Sequence, residues 1–236
     1  MKILYLTTVL PSGRKTGGEI ASHCFINALK YSGHQVLVVG YQRPDDINSE
    51  NSQEIVVEQR YIETEKSKYH PFLWMALSIW KQLPYSAAKY YSQKYLTKIQ
   101  NLLQVNNYDI ILIDHAQLGW LLPLLDQNSK IIFIAHNVEH QLYETQLKNA
   151  KKYLSKYIYK RETRLIKRME DHLAASSKQV WTLTSDDSNY FYTQNKSSKA
   201  FHLPSSWTIP AKNHAIKNYD IGIIGSWTWK ANKSGL

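Results

Sequence analysis

MKILYLTTVLPSGRKTGGEIASHCFINALKYSGHQVLVVG, residues 1–40, is the stretch that decides the fold. Ile3 to Val9 is a short apolar run that stops at Pro11-Ser12-Gly13, as a buried strand does. The loop Arg14-Lys15-Thr16-Gly17-Gly18-Glu19 follows. Ile20, Cys24, Phe25, Ala28 and Leu29 then recur at helical spacing. Thr16 and Glu19 fit a capping box at the start of that helix, and Ser32-Gly33 ends it. Gln35 to Gly40 is the next strand. Strand, glycine loop, helix and strand make a βαβ unit. Its continuous Val/Ile/Leu strands point to an α/β domain with a parallel sheet covered by helices on both faces.

The pattern continues along the chain. Asp109 to Asp114, Lys130 to Ala135 and Gln179 to Thr184 read as strands, with a shorter one at Lys199 to Leu203. Helical patterning falls at about 72–83, 86–105, 117–126, 138–147, 149–173 and 186–194. Residues 42–53 are polar and read as an exposed loop. Pro204, Pro210, Lys212, Asn213, His214, Lys217 and Asn218 mark a change of character over 204–219, and Ile221-Gly222-Ile223-Ile224-Gly225-Ser226 begins a new strand. The expected organisation is a domain over 1–209, a linker over 210–219, and the first strand and loop of a second domain over 220–236.

The 236 residues carry 29 Lys and Arg against 19 Asp and Glu, a formal charge of +10, and 43% are hydrophobic. That apolar fraction excludes a disordered chain. Cys24 stands alone, which excludes an internal disulfide and any zinc site built on paired cysteines. The N-terminus lacks a small-residue cleavage site, and no stretch approaches the roughly 20 apolar residues of a spanning helix. The expected location is cytoplasmic, at most peripheral on the inner face of a membrane. The excess positive charge implies an anionic partner, a lipid surface, a phosphorylated ligand or nucleic acid; recognised RNA or DNA motifs are absent from the sequence, so no specific nucleic-acid partner is expected.

Three features compete for function. Gly17-Gly18 before a helix lets backbone amides approach an anion, although a plain tight turn reads the same way. The spacing matches neither GxGxxG nor GxxxxGK[ST]. Asp114-His115 and His136-Asn137-Val138-Glu139-His140 end two successive strands, on the sheet edge where ligands of open parallel sheets bind. Asn137 equally fits a helix N-cap, and Glu139 a first helical turn. His115, His136 and His140 lack zinc spacing, so no metal is expected. Two stretches, 66–98 and 148–172, combine lysines with aromatics; they read as solvated or packed helix faces, or as surfaces for an anionic membrane.

Four pieces, in order, resemble the N-terminal half of a GT-B glycosyltransferase, close to the large retaining family usually numbered 4. They are Lys2 to Leu10 with its Gly17-Gly18 loop; Tyr108 to His115; Ala135-His136-Asn137-Val138-Glu139; and Ile221 to Asn232 with its Gly225-Ser226-Trp227. The resemblance implies two Rossmann-like halves, with acceptor bound mainly by the first half and nucleotide-sugar donor by the second. It implies that His136 hydrogen-bonds the donor sugar near the reacting carbon and is the catalytic candidate. Gly17, Gly18, His115, Asn137 and Glu139 are then substrate-binding residues, with Gly225 and Ser226 in the donor-side loop. No metal or other cofactor is implied beyond the nucleotide-sugar substrate. Retaining transfer of this kind depends on positioning and on stabilising the leaving diphosphate. The family's paired-glutamate donor motif falls after Leu236, so the 236 residues alone are expected to be weakly active or inactive. The competing expectation is a non-catalytic half that pairs with another chain or an anionic surface.

Overall fold

The computed structural model describes residues 1–13, 16–46, 53–63, 66, 69–125 and 130–201. Seven parallel strands form one sheet in the order β3-β2-β1-β4-β5-β6-β7. The strands are β1 (Lys2–Val9), β2 (Gln35–Gln42), β3 (Glu54–Gln59), β4 (Ile110–Asp114), β5 (Ile131–Ala135), β6 (Gln179–Thr182) and β7 (Ser198–Ala200). The order reverses at β1, which pairs with β2 on one side and β4 on the other, Leu4 facing both Leu37 and Ile111. That reversal opens the crevice in which doubly wound sheets hold ligands. The expected α/β, Rossmann-like parallel sheet is present. The predicted linker over 210–219, the strand and loop over 220–236, and the last two residues of the predicted strand at 199–203 lie outside the described residues.

Alternate side chains of the central strands feed two cores, as a sheet covered on both faces requires. Ile3, Tyr5, Leu112, Ile132 and Ile134 meet Phe25 and Ile26 of α1 (Gly17–Tyr31). Leu4, Leu6, Ile111, Ile113, Ile131 and Phe133 face the other way, into the larger core. That core takes in Tyr95 and Ile99 of α4 (Gln93–Val105), and Ile166 and Leu173 of α6 (Tyr153–Ser176). The remaining helices are α2 (His70–Lys81), α3 (Tyr85–Ala88), α5 (Glu139–Asn149) and α7 (Ser185–Phe191).

Local chemistry explains where the elements start and stop. Thr16 caps α1: its Oγ1 accepts the Glu19 amide at 3.3 Å and donates to Glu19 Oε1 at 3.0 Å. Ser32 ends the helix, and Gly33 at φ +78° supplies the left-handed turn into β2. A β-carbon on Gly40 would stand 2.9 Å from Thr7 Cγ2 and 3.2 Å from the Thr7 carbonyl oxygen. Only glycine lets β2 lie that close to the end of β1.

Four readings are corrected. Residues 42–53 are not an exposed loop at their start, because Gln42 closes β2 and both it and Arg43 are buried. Strand β3 at the sheet edge had no counterpart in the sequence reading. The helix expected over 86–105 is two, since Ser92 caps α4 through the Tyr95 amide and the Tyr90 carbonyl accepts the Tyr41 hydroxyl. The segment expected as a helix over 117–126 is a 3-10 run, Ala116–Leu124, with Pro123 inside it. Proline cannot donate the bond an α-helix needs there.

Candidate functional site

Strands β4 and β5 end side by side, and their last residues meet. Asp114 closes β4, with none of its surface exposed. Its Oδ2 accepts from Ser22 Oγ of α1 at 2.6 Å and from Thr7 Oγ1 of β1 at 3.0 Å. Its Oδ1 lies 2.7 Å from His136 Nε2. Burial alone would raise the Asp114 pKa. The attraction of His115 and His136 and the bonds from His136 and Ser22 outweigh it, holding the carboxylate well below its usual range. Four elements therefore converge on one buried charge.

His115 follows at φ +79°, a backbone conformation that costs a non-glycine residue about 1–3 kcal/mol. Its amide is fixed by the Ile134 carbonyl at 3.0 Å. The strained turn lays its imidazole on that of His136, ring centroids 3.9 Å apart and planes inclined by 20°. A β-carbon on Gly18 would stand 3.4 Å from His115 Cε1 and 3.9 Å from His136 Nδ1. The absent side chain thus keeps a space over the pair, at the α1 end where helix amides favour anions. The cap takes the amides of Glu19 and Ile20, and those of Gly17 and Gly18 precede them at the helix end.

Asp114, His115 and His136 each offer a ligand atom within 4.8 Å of the others. A histidine binds a metal in its ring plane. Two stacked, nearly parallel rings do not direct their lone pairs at one point, and His136 Nε2 is already engaged by Asp114. The geometry suits hydrogen bonding better than coordination.

In the neutral ring, a proton on Nε2 bonded to Asp114 leaves His136 Nδ1 as an acceptor. That atom is buried and has no partner among the described residues. Asn137 Oδ1 and Gln117 Oε1 share that condition. A buried polar atom left without a partner costs about 1–3 kcal/mol, and all three belong to the segments that leave β4 and β5.

Asn137 does not cap α5, contrary to the capping alternative. The N-cap is Val138, without a side-chain bond. The cap comes instead from α6. Glu170, fully buried, accepts the Glu139 amide at 2.6 Å, the His140 amide at 3.0 Å and His140 Nδ1 at 3.0 Å. His140 is thereby tied to structure and stands apart from the His115–His136 pair.

Beside the glycine loop, buried Arg43 binds Glu19 Oε1 through Nη2 at 2.7 Å and Glu63 through Nε. Sequence reasoning missed it, together with Thr7, Ser22 and Glu170, and had Asp114 only as a strand end. An acid ending an apolar strand was the one usable signal. The hydroxyl partners of Asp114, Ser22 and Thr7, lie 92 and 107 residues away. Gly225 and Ser226 lie outside the described residues. The structure brings together Gly18, His115 and His136; Glu139 and Asn137 adjoin them along the chain.

Two groups at this edge titrate in opposite senses. Desolvation, reinforced by repulsion from His136 and opposed by Asp114, lowers His115 from 6.5 to about 4. Desolvation, with repulsion from Glu170, raises Glu139 from 4.5 to about 7, against a hydrogen bond from Gln117 and the attraction of His136. Unfolded His115 takes up a proton near pH 6.5 and the folded ring only near pH 4, so stability falls as pH drops through that window. Unfolded Glu139 loses its proton near pH 4.5 and folded Glu139 near pH 7, so stability falls as pH rises through that window. Each effect is worth about 3 kcal/mol in total. Between pH 4.5 and 6.5 their slopes cancel. Glu139→Gln removes one of them, and stability should then climb by about 1.4 kcal/mol per pH unit across that interval. Urea unfolding measured at several pH values reads this directly; a variant curve that parallels the wild type's contradicts the assignment.

No protein-family model matches the chain, and no curated protein matches it.

Proposed function

We propose that this sheet domain is the acceptor-side half of a glycosyltransferase of the retaining GT-B kind, moving a sugar from a nucleotide-sugar to a glycan or lipid-linked acceptor. The observation that carries the reading is the set of buried polar atoms without a partner among the described residues, His136 Nδ1, Asn137 Oδ1 and Gln117 Oε1, at the carboxyl ends of two strands. A ligand that satisfies several acceptors in one place is rich in hydroxyl donors, and a sugar is such a ligand. The resemblance of 135–139 to the family's strand-end motif points the same way.

Each residue then has a task. Asp114 fixes the His136 ring and its tautomer, so that Nδ1 accepts a sugar hydroxyl near the reacting carbon. His115, neutral above about pH 4, extends a flat uncharged platform beneath it. The Gly17 and Gly18 amides, at the positive end of α1, favour the leaving diphosphate. Glu139, with a pKa of about 7, can hold or release a proton at neutral pH beside the acceptor hydroxyl. Such a site lowers the barrier mainly by positioning and fixed electrostatics.

The test is a titration of nucleotide-sugars and polyol acceptors into the 236-residue chain, followed at the imidazole nitrogens, with His136→Gln as the control. Losing one well-made hydrogen bond weakens binding about tenfold. Equal binding by the variant contradicts the role given to His136.

A further inference from the structure

Helix α2 has the wrong pattern for a surface helix. Trp74 and Ser78 are its buried residues. Its outward face holds Phe72, Leu73, Ile79 and Trp80, with Phe72 77% and Trp80 76% exposed. The helix is apolar on nearly its whole circumference, a pattern that calls for an apolar environment on both sides. The first two turns of α6 repeat the anomaly, with Tyr153, Leu154 and Tyr157 all exposed.

Hydrogen bonds tie α6 to the end of α2 and the residues after it. Arg161 of α6 donates to Ser78 Oγ at 3.0 Å and to the Ser78 carbonyl at 2.8 Å. The Tyr85 amide, just after α2, donates to Glu162 Oε2 at 2.6 Å. Tyr157 and Ile158 lie one helical turn before Arg161, on the face that makes this contact. The two helices are thus tied together through the buried side of α2, and each leaves its own apolar residues exposed.

Along the chain, both stretches are basic. No Asp or Glu occurs between Glu65 and Asp109, or between Glu144 and Glu162. The second interval contains Lys148, Lys151, Lys152, Lys156 and Lys160, all exposed. Lys81 Nζ lies 4.4 Å over the Trp80 ring, so the patch also has a cation held against an interfacial aromatic. Among the described residues no helix is long and apolar enough to cross a membrane.

We propose that the outer face of α2 and the first two turns of α6 dock on an anionic lipid surface. The aromatic and aliphatic side chains enter the headgroup region, and the lysines, whose stems can extend along it, pair with lipid phosphates. This goes beyond the transfer reading and stands without it. It also fits one detail of that reading, because a lipid-linked acceptor is presented at such a surface.

The experiment is flotation of the full 236-residue chain with vesicles of phosphatidylcholine alone, or with about 30% phosphatidylglycerol, at low and high salt. Binding is expected to the anionic vesicles and to weaken with salt. Phe72→Ser with Trp80→Ser should reduce partition about tenfold or more, as should Lys151→Glu with Lys156→Glu. All four positions are exposed, so both variants should melt like the wild type. Failure to bind anionic vesicles at low salt overturns the proposal, as does binding unchanged by the apolar pair. A self-associated form that the apolar pair dissociates, with no vesicle binding, overturns it too and assigns the face to a second copy of the chain.

Discussion

Asp114→Ala is expected to lose about 3–5 kcal/mol of stability, because it leaves Ser22, Thr7 and His136 around a vacated charge. For a chain of this size that lowers Tm by roughly 10 °C. Asp114→Asn keeps the volume and should lose less, about 2 kcal/mol. The amide offers one acceptor oxygen where the carboxylate offers two, so its NH2 must face either the Ser22 and Thr7 hydroxyls or His136, which then has to switch tautomer to accept it. The acid dependence follows from the depressed pKa of the carboxylate. A group that holds its charge more tightly when folded contributes fully above its unfolded value of about 4 and loses that contribution as pH falls below it. The wild type should therefore lose stability more steeply than Asp114→Asn below about pH 4. Thermal melts of the three proteins at neutral pH and at acid pH check both parts. An Asp114→Asn protein as stable as the wild type at neutral pH contradicts the network.

Glu170→Ala is expected to be the second severe change, again about 3–5 kcal/mol. Three donors, two of them first-turn amides of α5, lose their only described acceptor. The loss is local as well as global. Amide exchange at 139 and 140 should accelerate more than exchange in β1 or β4. Glu170→Gln separates cap from charge: it keeps one acceptor but turns an amide N–H toward a backbone donor. It also removes a repulsion that raises Glu139, so the Glu139 pKa should fall from about 7. Unchanged exchange at 139 and 140 in Glu170→Ala contradicts the capping role.

What could be read from the chain, and what could not, follows from the range of the interactions. Ile110–Asp114 and Ile131–Ala135 were legible because both faces of those strands are buried, which writes them as unbroken apolar runs. The α1 start was legible because its cap spans three residues. Strand β3, Glu54–Gln59, was not. It lies at the sheet edge and is only half buried, and its Glu and Gln residues flank a two-valine centre. The cap on α5 comes from Glu170, 31 residues away, so Asn137 looked like the obvious local cap. The candidate site divides in the same way. His115, His136 and Gly18 follow from topology, since strand ends and the first helix of such a sheet share one edge. The residues that organise them, Thr7, Ser22 and Asp114, are joined only by folding. Arg43 was hidden differently, because a buried ion pair with Glu19 and Glu63 reads in sequence as ordinary loop charge.

The stacked His115–His136 pair is proposed as a ligand site and not only a buried structural cluster. Its most direct test follows the imidazole nitrogens of both residues while a nucleotide-sugar or a polyol acceptor is titrated into the chain. A sugar ligand is expected to shift the His136 Nδ1 signal, as that atom gains a partner, and to move His115 with it. His140, bonded to Glu170, should stay in place. Imidazole signals of His115 and His136 that remain unmoved at saturating ligand would leave the pair a structural cluster only.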